Sequence, residues 1–224
     1  MFLQIIAIFS LLAWTLAVPT VYQFPNNGSF VDNLVIRKNG HLFLTRIDAP
    51  QVWSVNLATN NASIVHDFSH DNATITSCFG IAEVDTDVSA VVTGSLGLEK
   101  FSSTPGSYAL WRVGFNNSTG TDPVAAVSSL LAIPEAEALS ALTIYGDLLL
   151  IADSPEAAIW KVDLHTQEYT KVISDESMLP APNAPPLGGQ WDSSIQCIPL
   201  LRQHDKERVQ TGADQRASRG HWGV

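Results

Sequence analysis

From about residue 31 to residue 175, apolar side chains recur at every second position in short runs, and the runs come in a repeating order. In VWSVNL, Trp53, Val55 and Leu57 fall on one side and Ser54 and Asn56 on the other, the period of a half-buried strand. LWRVGF around Trp111 and IWKVDL around Trp160 repeat the pattern. Ahead of each Trp strand lie two apolar runs split by a short turn: Asn39-Gly40 in DNLVIRKNGHLFLTRI, Asp85 to Asp87 in FGIAEVDTDVSAVVTG, and Gly146-Asp147 in SALTIYGDLLLIADS. Apolar run, tight turn and apolar run predict a hairpin. NASIVHDF and QEYTKVI supply a fourth, outer strand. PVAAVSSLLAIPEAEAL has some helical character, but Pro134 interrupts it, and it reads as an inter-unit connection plus a strand.

An antiparallel unit of three or four strands, repeated about every 50 residues, predicts an all-β fold of the β-propeller class. The repeats of a solenoid are usually shorter. Three blades are complete by about residue 175, with Trp53, Trp111 and Trp160 at equivalent positions.

The flanks differ in character. Residues 2–17 are almost wholly apolar, too short for a comfortable membrane span, and Thr15-Leu16-Ala17 followed by Pro19 has the small-x-small form of a cleavage signal. Residues 1–17 therefore read as a signal peptide, with a retained anchor or buried segment as the rival. The product is expected in the secretory pathway or outside the cell, with no membrane attachment after cleavage. Asn-x-Ser/Thr sequons at Asn27, Asn61, Asn72, Asn116 and Asn117 fit glycosylation of an exported chain. Cys78 and Cys197 are the two cysteines. A bridge between them is one reading; a small buried hydrophobe is the preferred one for Cys78. The formal net charge of −10 argues against nucleic acid, whose phosphates call for Lys and Arg.

The stretches FVDNLVIRKNGHLFLT, CFGIAEV, TPGSYALWRV, IPEAEALSALT and LLLIADSPEAAIWKVDLHT, in this order, resemble the secreted fungal propellers of the gluconolactonase/senescence-marker type. The resemblance covers about residues 20–180. It implies a six-bladed ring whose strand-end loops line a central small-molecule site. Some members are calcium- or zinc-dependent lactonases. Others steer pericyclic ring closures, such as hetero-Diels–Alder reactions, in natural-product pathways. A lactonase needs a divalent metal held by oxygen ligands, to polarise the lactone carbonyl and activate water. Asp32, Asn33, Glu83 and Asp153 are the candidate pocket-facing or metal-facing residues. Each also has a structural reading: Asp32 and Asn33 capping a turn, Glu83 on a solvated face, Asp153 accepting backbone N–H groups in a tight turn before Pro155. Ser140-Ala141 departs from the Asn-Gly that related lactonases tend to carry. A cyclase needs no resident cofactor, only a shaped apolar pocket with a few aimed donors for a small hydrophobic organic substrate. A binding or scaffold propeller without chemistry is the third possibility.

Other motifs are silent. His41, His66, His70 and His165 lack metal-ligand spacing, TGSLG is not a nucleophile elbow, and GSLGLEK is not a phosphate loop.

At GGQWDSSIQC the alternation stops. Five of the twelve basic residues, Arg202, Lys206, Arg208, Arg216 and Arg219, lie beyond this point. Back-translating Gly189 to Asp192 and dropping one base permits Val-Asn-Gly-Ile, the turn opening of a further hairpin. The same slip from Ile195 to Gln210 permits NASLYFANTTKNEFKR, an apolar strand and a polar run. The chain accordingly divides into a signal peptide (1–17), a partial propeller (18–186) and an aberrant tail (187–224) read in a shifted frame and not expected to form a blade. The 224-residue product itself is not expected to be active.

Overall fold

The computed structural model describes residues 20, 22–115 and 125–179. The predicted leader, the tail, Asn116, Asn117 and Cys197 lie outside them. The described residues form three consecutive four-stranded antiparallel sheets and no α-helix. The first sheet runs in chain order through β1 (Val31–Ile36), β2 (Leu42–Arg46), β3 (Gln51–Asn56) and β4 (Asn61–Asp67). The second comprises β5 (Ser77–Asp85), β6 (Val88–Gly94), β9 (Ala109–Phe115) and β10 (Ala125–Ala132). A small hairpin, β7 (Leu96–Gly97) with β8 (Ser102–Ser103), is inserted after β6. The third is β11 (Leu139–Tyr145), β12 (Leu148–Asp153), β13 (Ala158–Asp163) and β14 (Tyr169–Ser174).

The first strands β1, β5 and β11 pack side by side, so the sheets radiate as successive blades from a shared inner edge. This is the partial propeller that the repeat predicted. The predicted hairpin turns lie between the first and second strands. Gly40 (φ +83°), Asp87 (φ +56°) and Gly146 (φ +61°) supply the left-handed backbone those turns require. The region with helical character is strand β10. The β7–β8 hairpin was not anticipated; its short polar runs carry no apolar alternation to announce it.

Strand pairing shows how closely the blades repeat. Trp53 lies opposite Leu44, Trp111 opposite Val91 and Trp160 opposite Ile151, each on the third strand of its blade. Every inner strand also carries a bulge at the same place: between Val31 and Leu34, between Cys78 and Ile81, and between Leu139 and Leu142. The extra residue bends the strand and turns two side chains out of the regular alternation. Asp32-Asn33, Phe79-Gly80 and Ser140-Ala141 thus occupy one repeated position. At Gly80 the bulge meets the next blade so closely that a Cβ would stand 2.4 Å from the Ser140 carbonyl oxygen.

Between the first and second blades lie Phe43, Val52, Phe68, Cys78, Ile81 and Val113. Between the second and third lie Phe79, Leu110, Leu139, Leu142, Ile151 and Trp160. Cys78 is fully buried, and burial, with the nearby charges of Asp67 and Asp32, drives its thiol pKa well up. It is the small buried hydrophobe that the sequence suggested.

Candidate functional site

A four-stranded meander has two distinct ends. One carries the turns between strands one and two and between three and four. The other carries the turn between strands two and three and the crossover to the next blade. Asp32 and Asn33, near the start of β1, and Asp153, closing β12, lie at the crossover end. Glu83, near the close of β5, lies at the turn end. The four candidates therefore do not converge.

Their environments differ as well. Glu83 is exposed, and its Oε1 accepts the backbone N–H of Asp87 at 2.9 Å, closing its own hairpin. Asp153 is almost wholly buried. Its Oδ1 accepts the Ala138 N–H at 2.9 Å, and its Oδ2 accepts the Glu137 N–H at 3.0 Å and the Trp160 indole N–H at 3.1 Å. A carboxylate holding three donors ties the incoming crossover to the third-blade Trp. The backbone groups it holds precede β11 rather than form a turn before Pro155.

The same position in the second blade is Thr93, whose hydroxyl accepts the Trp111 indole N–H at 3.0 Å. In the first blade it is Arg46, whose guanidinium lies 5.7 Å from the centroid of the Trp53 ring while Trp53 donates instead to Gln51 Oε1 at 3.0 Å. Asn33 is held by Thr45: its N–H donates to Thr45 Oγ1 at 3.1 Å, and the Thr45 hydroxyl donates to its carbonyl at 3.3 Å. This pair fixes the first-blade bulge.

Asp32 stands apart. It is half-buried on the inner strand, and its carboxylate makes no hydrogen bond or ion pair among the described residues. Burial without a compensating partner raises its pKa from 3.8 to about 6. The equivalent bulge residues are Phe79, packed 5.5 Å from the Tyr108 ring centroid, and Ser140, whose hydroxyl lies 3.1 Å from that of Ser154. The crossover end of the inner edge thus carries, in Asp32, a half-buried carboxyl whose acidity burial has weakened. The sequence named Asp32 as a metal-facing or capping residue. Its raised pKa follows from burial that the local pattern does not encode.

Among the described residues no group of three or more His, Cys, Asp or Glu comes together in a way that could hold a metal ion. His66 Nε2 is 2.5 Å from Asp71 Oδ2, and His165 Nε2 is 3.6 Å from Asp147 Oδ1; both are isolated pairs. Among the sequons, Asn27, Asn61 and Asn72 are exposed. No helix among the described residues is long and apolar enough to cross a membrane.

No family model matches the sequence. No curated protein matches it either. Among solved structures it is similar to a catalytically inactive virginiamycin B lyase from Staphylococcus aureus crystallised with quinupristin. That similarity has 15% sequence identity and a TM-score of 0.47. It covers 73% of this chain and 46% of the lyase, so the chain spans about half the length of the structure it matches.

Proposed function

We propose that this chain is the blade-forming part of a small-molecule enzyme of a natural-product pathway, a cyclase of the hetero-Diels–Alderase kind. The substrate lies at the crossover end of the inner strands, where Asp32 meets it. The observation that carries the reading is the Asp32 carboxyl: accessible, unpartnered among the described residues, and raised to about 6 by burial. A carboxyl of this kind retains its proton under mildly acidic conditions. It then donates a hydrogen bond to a carbonyl oxygen that gains negative charge as the ring closes. The apolar groups around it hold a flexible substrate in the folded conformer from which closure proceeds, the larger share of such catalysis.

Lactone hydrolysis is the second reading. Its resident metal would need ligands beyond Asp32, because Asp153 is committed to three N–H donors and Glu83 lies at the other end.

The test follows ring closure of conjugated carbonyl dienes paired with simple alkenes, with the protein translated in the restored frame, its further blades included, added or left out. The expected result is acceleration that falls as pH rises through about 6 and is at least tenfold weaker in Asp32→Asn. Acceleration indifferent to both would remove Asp32 from the site. No acceleration, with substrates still bound, would favour a non-catalytic binding propeller.

A further inference from the structure

The two blade junctions can be compared position by position at the turn end, and they are filled differently. At the first junction Arg37 leaves β1, and its Nε donates to Asp87 Oδ1 at 3.1 Å. Its guanidinium carbon lies 3.4 Å from the Phe115 ring centroid, and Phe115 packs edge-on against Phe43 at 5.1 Å. A cation, its carboxylate and two aromatic rings fill that space.

The strand register gives the counterparts at the second junction. Ile36 pairs with Leu42, Glu83 with Ser89 and Ile144 with Leu149, so Val84 stands where Arg37 stands and Ala90 where Phe43 does. Asp147 precedes Leu149 as Asp87 precedes Ser89. Val113 and Val162 are equivalent, which places Leu164 where Phe115 stands. Three large side chains are replaced by three smaller ones, while the carboxylate is kept. The space they leave is a cavity of about 360 Å³ lined by Val84, Asp85, Ala90, Arg112, Leu130, Asp147, Leu164 and His165. The volume lies within the range of small-ligand sites, which are commonly about 300–1,000 Å³.

We propose that this cavity is a binding site for a small organic cation with an apolar or aromatic body. Its charged group pairs with Asp147, an exposed carboxylate that otherwise faces His165 Nε2 at 3.6 Å and stands at the position from which Asp87 holds Arg37, and its body takes the space that Phe43 and Phe115 fill one blade earlier. Asp85 adds a second carboxylate. Arg112, which stands where Ser54 stands in the first blade, also lines the cavity, and its like charge disfavours a cation placed beside it. The site is at the opposite end of the blades from Asp32, so it stands or falls separately from the cyclase reading.

Titration of the 224-residue chain with 3-phenylpropylguanidinium, followed by calorimetry and by thermal shift, tests it. The expected result is saturable binding at one site, weakened at least tenfold in Asp147→Asn. The neutral analogue 3-phenylpropanol is expected to bind at least tenfold more weakly. Ala90→Phe restores the side chain found at the first junction and is expected to abolish binding while holding or raising Tm. Leu164→Phe serves the same purpose if Ala90→Phe does not fold. Absence of binding at millimolar probe overturns the proposal. So does equal binding of the alcohol, or binding unchanged in Asp147→Asn and in the cavity-filling variant.

Discussion

At the residue scale, three side chains show how a single position is committed. Asp153 was a pocket candidate by sequence, and its carboxylate is occupied by Glu137, Ala138 and Trp160. Asp153→Ala strands two buried donors, the Ala138 N–H and the Trp160 indole N–H, each costing about 1–3 kcal/mol when unsatisfied, and the part-buried Glu137 N–H as well. Denaturant unfolding is expected to show a loss of about 3 kcal/mol or more, with Trp160 fluorescence reporting the released indole. Gly80 permits the inner strands to touch, and a methyl group there meets the Ser140 carbonyl. Gly80→Ala is expected to cost about 1–3 kcal/mol, as overpacking does, whereas Gly114, where an added Cβ would have its nearest neighbour at 3.6 Å, tolerates the same change. Asp32 has the opposite character. Its folded pKa is raised, so the charged form is disfavoured by folding. The native state is favoured fully below about pH 4, and this advantage is lost as pH rises through about 6. Asp32→Asn is accordingly expected to gain on the order of 1–2 kcal/mol at pH 8 and nothing at pH 4. A loss at pH 8 would mean that the carboxylate has a partner in the folded protein.

At the element scale, the Arg37–Asp87 pair joins the hairpin turn of the first blade to that of the second across an interface otherwise made of aliphatic and aromatic groups. Arg37 is only 6% exposed and its Nη1 has no hydrogen-bond partner, so its charge depends on Asp87 and on the Phe115 face. Removing one partner leaves a buried charge uncompensated, which typically costs about 3–5 kcal/mol. Asp87→Asn keeps a residue that tolerates the left-handed backbone and is expected to destabilise strongly. The double variant Arg37→Met/Asp87→Asn, in which no charge remains, is expected to recover at least half of the loss. Additive losses in the double-mutant cycle would show that the pair is uncoupled.

At the scale of the whole molecule, the repeat shows which face is left uncovered. Leu34, Ile81 and Leu142 are equivalent. Ile81 and Leu142 are 3% and 5% exposed because the preceding blade covers them, whereas Leu34 is 46% exposed. Ile36 and Ile64 extend the same apolar surface, with Phe24 packed edge-on to Trp53 at 5.3 Å beside them. Apolar surface of this kind binds hydrophobic dyes and favours association. Leu34→Asp together with Ile36→Lys is expected to raise solubility and lower dye binding, with less than about 0.5 kcal/mol change in stability. Ile81→Asp, at the equivalent covered site, is expected to unfold the junction.

Alternation and turn residues were enough to determine three antiparallel blades, because side-chain period and turn stereochemistry are local properties. Trp53, Trp111 and Trp160 could be matched from the sequence for the same reason: each sits at the same step of an identical alternating run. Other roles could not be read that way. Asp32 and Asp153 are both single carboxylates beside apolar runs; only burial without a partner on one, and three converging N–H donors on the other, separates a titrating group from a structural one. The bulges that turn Asp32 and Gly80 out of register put three steps rather than two between flanking apolar residues such as Val31 and Leu34, a break that alternation alone does not distinguish from the end of a strand. The difference between the filled junction at Phe43 and Phe115 and the open one at Ala90 and Leu164 exists only once the strands are paired, since those residues are far apart in the chain and meet across blades.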